Sequence, residues 1–191
     1  MGGKPLGMMI MLAGLLMAGA VRGDIATDGA SPAVRGLYDR LEAEPQNPQV
    51  WRGLGLQLAA EGQLRAAVGP LKQALALDQA AGNAPHTGIG HNELGRLYRA
   101  LGDQAGTTRE RDVHHHQAIA AFRAAEQVER RIGNPMALAV NLRALARLYR
   151  GTGQRGLARH TFYQAAVAFQ DAQRGHLAQA MLTERSEIPE N

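Results

Sequence analysis

Two groups of side chains in this 191-residue chain have residue types and spacing that suit chemistry. Arg143, Arg147 and Arg150 are separated by four and then three residues, so on a helix they share one face, and Asn92, Arg96 and Arg99 repeat that arrangement upstream. The five guanidiniums of these two sets are planar donor forks suited to bidentate bonding with carboxylates. They point to recognition of an acidic peptide segment or a C-terminus, which is binding and not catalysis. The competing reading is that these arginines are solvated, or paired with Glu93, Glu126 and Glu129, as most charges on helix surfaces are.

The second group is the run His114, His115 and His116, with Asp112 one turn before His116. Neutral imidazoles suit zinc, nickel or copper, which makes Asp112, His115 and His116 the candidate metal ligands. Consecutive helical residues point about 100° apart, so three adjacent histidines cannot all reach one ion from a regular helix. With no Cys and no His-Glu-x-x-His pattern, no native metal site is favoured, and surface histidines titrating near neutral pH are the plainer account. His86 and His91 join this group only if the fold brings them close. The chain also lacks a Gly-rich phosphate loop, a nucleophile elbow and paired carboxylates in an apolar setting. It is read as a non-enzyme, and no cofactor is expected.

The elements that must position these residues announce themselves by repetition. Glu93 to Gly102 (ELGRLYRALG) returns as Ala144 to Gly153 (ALARLYRGTG), and a weaker copy spans Trp51 to Gly62. The three segments end at Gly62, Gly102 and Gly153, and each glycine is expected to stop its helix. After each stop comes a second stripe with Ala, a large apolar residue four later and Ala three later: Ala67, Leu71, Ala74; Ala118, Phe122, Ala125; Ala158, Phe162, Ala165. That spacing is one face of a helix, so the unit is helix, Gly turn, helix.

These residues resemble the tetratricopeptide repeat. Its pattern of Trp, Leu, small, Tyr, then Ala, Phe, Ala is matched by Trp51, Leu54, Gly55, Leu58, Ala67, Leu71 and Ala74. The second copy offers Leu94, Gly95, Tyr98, Ala118, Phe122 and Ala125, with His91 where the family prefers Trp, and the third Leu142, Leu145, Ala146, Tyr149, Ala158, Phe162 and Ala165. Leu54 to Leu94 and Ala118 to Ala158 are each 40 residues apart, against about 34 in the commonest form, which is similar to the longer kinesin-light-chain type. The resemblance implies an all-α fold: a right-handed α-solenoid of about three helix pairs (48–81, 85–131 and 135–170), with a half repeat before them and a capping helix after. It also implies a concave groove lined by the first helix of each pair. That places Gln49, Arg52 and Leu56, then Ile89, Asn92, Arg96 and Arg99, then Val140, Arg143, Arg147 and Arg150 in the groove. The carboxylate clamp of chaperone-binding relatives needs Asn where this chain has Leu56, although Arg52 matches the clamp's basic site.

The second copy departs from the others. Gly102 to Ala118 is 16 residues where the other copies use five, so Asp103 to Val113 is an insert, polar and expected to begin as a loop, with the second helix starting near His114. Upstream, Ala33, Leu37, Tyr38 and Leu41 form an apolar stripe with Ser31 as N-cap and Pro32 at the first helical position. Downstream, Leu177, Ala178, Met181 and Leu182 read as the cap that solenoids need, within a repeat domain ending near residue 185, and 186–191 reads as a frayed tail.

Residues 1–20 have the form of a secretory signal: Lys4, an apolar Met8 to Met17, and Ala18-Gly19-Ala20 before a cleavage point after Ala20, followed by a linker over 21–31. Met8 to Val21 is 14 residues where about 20 are needed to span a bilayer, so no membrane span is expected in the mature form; an uncleaved segment would tether the chain. The formal charge of +4, falling to +3 without Lys4, is too mild to argue nucleic acid. The expectation is a periplasmic or secreted scaffold of the bacterial envelope that holds another protein by an acidic or extended segment. The alternatives are a metal-binding protein using His114 to His116 and a self-assembling, homo-oligomeric scaffold.

Overall fold

The computed structural model describes residues 30–190. The expected signal over residues 1–20 and most of the expected linker fall outside the described residues. Within them the chain forms eight α-helices and no strand: α1 (Pro32–Ala43), α2 (Pro48–Ala60), α3 (Leu64–Ala80), α4 (Ala84–Asp103), α5 (Thr108–Ile132), α6 (Pro135–Gly151), α7 (Arg155–Asp171) and α8 (Gly175–Ser186). The chain divides into two compact units, one ending at Asn83 and the other beginning at Ala84. Among the described residues no helix is long and apolar enough to cross a membrane.

Short polar side chains start the helices. Ser31, Asn47, Thr107 and Asn134 each accept a backbone N–H of the first turn, and Pro32, Pro48 and Pro135 occupy positions where a missing N–H costs nothing. A recurring left-handed residue stops them: Gly62, Gly82, Gly133 and Gly153 have φ of 80°, 67°, 70° and 75°. In each case the next residue's N–H returns to a carbonyl five residues back, as in Gln63 to Leu58 at 2.9 Å and Gln154 to Tyr149 at 2.9 Å, so the last orphan carbonyls are satisfied. Gln173 takes the same role after α7 with φ of 57°, without glycine's freedom there.

In the first unit α2 packs on both α1 and α3. Trp51, Leu54 and Leu58 are fully buried with Leu71, and the Trp51 indole donates to the Pro45 carbonyl at 2.8 Å. Val34, Tyr38 and Leu41 form the inward face of α1. This corrects the expected stripe: Ala33 is exposed and Leu37 half-buried, because Val34 takes the inward position one turn before Tyr38.

In the second unit α4 packs on α5, α5 on α6, α6 on α7 and α7 on α8. Phe122, Phe162 and Phe169 are fully buried, and the alanines of the sequence stripes, Ala118, Ala125, Ala158 and Ala165, lie beside them without exposure. The α4–α5 pair holds a ladder of glycines that no single repeat reveals. Gly88, Gly95 and Gly102, seven apart on α4, receive Glu129, Phe122 and His115, seven apart on α5 and running the opposite way. A Cβ on Gly95 would lie 2.8 Å from Phe122 ring atoms, so the backbone approach itself requires glycine.

The helix does end beside Gly102, one residue later at Asp103, but Gly102 is not its left-handed stop: it keeps helical conformation and is buried against His115. The insert is also mostly helical. Thr107 caps Glu110 N at 3.2 Å, and residues 108–113 extend α5 to 25 residues, so His114 to His116 sit two turns inside a helix instead of at its start. The tail expected to fray makes contacts as far as Glu190: Ile188 is 3% exposed, Arg159 donates to its carbonyl at 2.7 Å, and Arg159 meets Glu190 at 2.5 Å. Asn191 lies outside the described residues.

Candidate functional site

The arginine sets sit on α4 and α6. Both helices pack antiparallel to α5, α6 through the short Gly133–Asn134 reversal, so they run in the same direction. The Asn92 side-chain amide donates to the Asn141 side-chain carbonyl and fixes their register. On α4, Arg96 is exposed and Arg99 half-buried, and among the described residues neither has a hydrogen bond or ion pair.

On α6 the equivalent pair is occupied. Arg147 grips Glu184 of α8 with Nε at 3.1 and 3.2 Å from the two carboxylate oxygens and one terminal nitrogen at 2.5 Å. Arg150 adds Glu184 at 3.4 Å and Glu187 at 3.8 Å. The hydrogen bond from Arg147, with the fields of Arg147, Arg150 and Arg143, holds the Glu184 carboxyl below the usual carboxylate range, and the same bond raises the Arg147 guanidinium. Arg143 and Arg150 also lie over the Phe169 and Phe162 rings at 5.7 and 5.6 Å, which pins their stems to the apolar core. The sequence offered Glu93, Glu126 and Glu129 as internal partners; for Arg147 and Arg150 the structure supplies Glu184, 37 residues beyond Arg147.

Arg52 does not belong to an open arginine face. It is 7% exposed and pairs with Asp78 at 2.5 Å inside the first unit, while Gln49, on the turn before, accepts from it at 3.3 Å. A charge taken from water this far is held by its partner and is not available to a ligand. Leu56 and Ile89, also expected in the groove, are exposed, and Val140 is half-buried.

The inward positions equivalent to Arg52 and Asp78 show how the repeats diverge. In the third copy they are Arg143 and Phe169, a cation over a ring; in the second they are Asn92 and Glu129. Glu129 therefore faces no arginine. It is 3% exposed against Gly88, its Oε2 has no hydrogen-bond partner among the described residues, and burial pushes its carboxyl up.

The candidate metal ligands part company. His115 packs on Gly102 and meets Asp103 at 3.3 Å, and His116 Nδ1 meets the backbone carbonyl of Asp112 at 2.7 Å, not its carboxylate. His114 contacts Gln117 at 3.0 Å and stacks on Tyr98 with ring centres 6.4 Å apart. Among the described residues no three of His, Asp or Glu are placed to hold a metal ion. Burial lowers His91, which favours its neutral form.

No known family model matches the chain, and no characterised protein is significantly similar to it.

Proposed function

We propose that this chain is a non-enzymatic adaptor of the cell envelope, built from tetratricopeptide-type helix pairs in a right-handed solenoid, that holds a partner protein by an acidic segment. Three successive helix pairs, each with a small residue of the first helix facing a large residue of the second, support the repeat reading. Gly55 faces Leu71 and Gly95 faces Phe122, while Ala146 and Phe162 hold the matching positions in the third copy. The signal-like residues 1–20 support export.

One observation carries the binding reading: the α6 face already binds a carboxylate, because Arg147 holds Glu184 through both oxygens. A face that does this inside the chain has the chemistry to do it for a partner, and Arg96 and Arg99 carry the same pair of cations on α4. Arg52 is not part of the proposed site, and Arg143, Arg147 and Arg150 contribute positive field with their own contacts already made.

The test is fluorescence anisotropy of a labelled poly-glutamate peptide with the whole chain. Binding that weakens with salt and is lost in the Arg96→Glu/Arg99→Glu variant is the expected result. Equal binding by that variant, with unchanged helicity, would remove the site.

A further inference from the structure

The third copy is an internal template for the second. Arg147 and Arg150 of α6 lie 51 residues beyond Arg96 and Arg99 of α4, on the same side of the repeated Leu, small, Tyr stripe (Leu145, Ala146, Tyr149 against Leu94, Gly95, Tyr98). α8 follows α6 as its successor, beginning 40 residues later at Gly175 against Pro135. On α8, Glu184 and Glu187 lie three residues apart, Glu187 still in right-handed helical conformation at the cap, and together they meet Arg147 and Arg150.

What α6 carries at the matching positions follows from the register. The position on α6 that corresponds to Glu184 on α8 is Ala144, 40 residues earlier, and it lies one turn beyond Asn141, the residue that Asn92 meets. The position corresponding to Glu187 is Arg147. At the positions where α8 offers the α6 pair two carboxylates, α6 thus carries a methyl group and a further cation. This agrees with the lack of any hydrogen bond or ion pair at Arg96 and Arg99 among the described residues.

We propose that Arg96 and Arg99 receive a partner helix that lies over the exposed side of α4, because α6 already fills beside α4 the place that α8 takes beside α6, and that this helix presents two carboxylates one turn apart, the kind of pair that Glu184 and Glu187 offer to Arg147 and Arg150. This rests on the acidic-segment reading above and narrows it to a geometry. A helix places residues three apart on one face, whereas residues two apart point about 200° from each other, so only the former can serve both guanidiniums at once. Arg147 at the edge of the site adds attraction for the partner's second carboxylate, and its own pairing with Glu184 keeps it in place.

The experiment uses three stapled Ala-rich helical peptides of equal length and composition apart from the acidic pair: Glu residues three apart, Glu residues two apart, and Gln residues three apart. Each is titrated into the full chain, into Arg96→Ala/Arg99→Ala, and into Ala144→Glu, which places the missing carboxylate on α6, with Ala144→Gln as its uncharged control. The peptide with Glu three apart is expected to bind at least tenfold more tightly than the other two. That preference should disappear in the double arginine variant, and Ala144→Glu, but not Ala144→Gln, should weaken it at least fivefold. Equal binding of the two Glu peptides, still dependent on Arg96 and Arg99, would overturn the helical spacing and leave the acidic-segment reading standing. Binding of neither Glu peptide, or binding indifferent to the arginines, would overturn both.

Discussion

Replacing Glu184 by Gln should loosen the hold of α6 on α8 by an amount the geometry bounds. The carboxylate accepts three hydrogen-bond contacts from Arg147 at 2.5 to 3.2 Å and a weaker ion pair from Arg150 at 3.4 Å. Bidentate geometry argues for more than an ordinary surface pair, but the Arg147 side chain is 44% exposed and Glu184 18%, so water screens the attraction. Discounted in this way, the loss is about 1 kcal/mol at neutral pH, or roughly 2–4 °C in Tm for a chain of this size. The pH dependence has a definite sign. The folded carboxyl is held below its ordinary value, so the contribution is complete above the unfolded pKa, near 4.5, and disappears as the pH falls through the lower folded value. Urea unfolding followed by circular dichroism, at a series of pH values and at low and about 1 M salt, where the screening length is about 3 Å, reads all three quantities. The variant and the parent should differ at neutral pH and converge in acid and in high salt. A loss above about 3 kcal/mol would mean that the pair behaves as a buried one, and a gap that persists in acid would mean that the carboxylate charge is not its source.

Gly95→Ala gains about 1 kcal/mol of helix propensity but drives a methyl to 2.8 Å from a fully buried Phe122 ring, so a net loss of about 1–2 kcal/mol is expected by thermal melting; a gain would mean that α4 and α5 separate freely. Gln173→Gly should stabilise by about 1 kcal/mol in the same assay, because it relieves a left-handed residue at φ of 57° in a position the other stops fill with glycine. Glu129→Gln should also stabilise, by about 1 kcal/mol at neutral pH. Burial raises the folded carboxyl above its unfolded value, so its favourable contribution is full only below about pH 4.5 and is lost as the pH rises through the folded value; the gap should close in acid, and a destabilised variant at neutral pH would contradict the unpaired placement.

The local signals were legible in the sequence and the long-range ones were not. Ser31 with Pro32, and the glycines at 62 and 153, act through neighbours within a turn, so residue type and position sufficed to place them. The stripes Ala67, Leu71, Ala74 and Ala158, Phe162, Ala165 are set by helical period alone, and all six residues are buried. Gly102 read as a stop because it closes the same string as Gly153. Its actual role depends on His115 across the helix pair, and the seven-residue ladder with Gly88 and Gly95 was the available sign. Arg52 and Arg147 look alike on a helical wheel; what separates them is Asp78 and Glu184, respectively 26 and 37 residues away, and only packing brings those carboxylates into place. The His run shows the converse: adjacency in sequence puts three rings on three sides of α5, each with its own contact.

The most direct test of the account is to observe the arginine side chains themselves. Nitrogen-15 NMR of the guanidinium Nε–Hε groups, followed while the helical peptide with two glutamates three apart is added to the full chain, distinguishes each arginine once point variants assign the signals. Saturable shifts are expected at Arg96 and Arg99, with a smaller response at Arg147 and none at Arg52, whose fork is closed on Asp78. Shifts absent from Arg96 and Arg99 while the peptide binds, or a response centred on Arg52, would contradict this expectation.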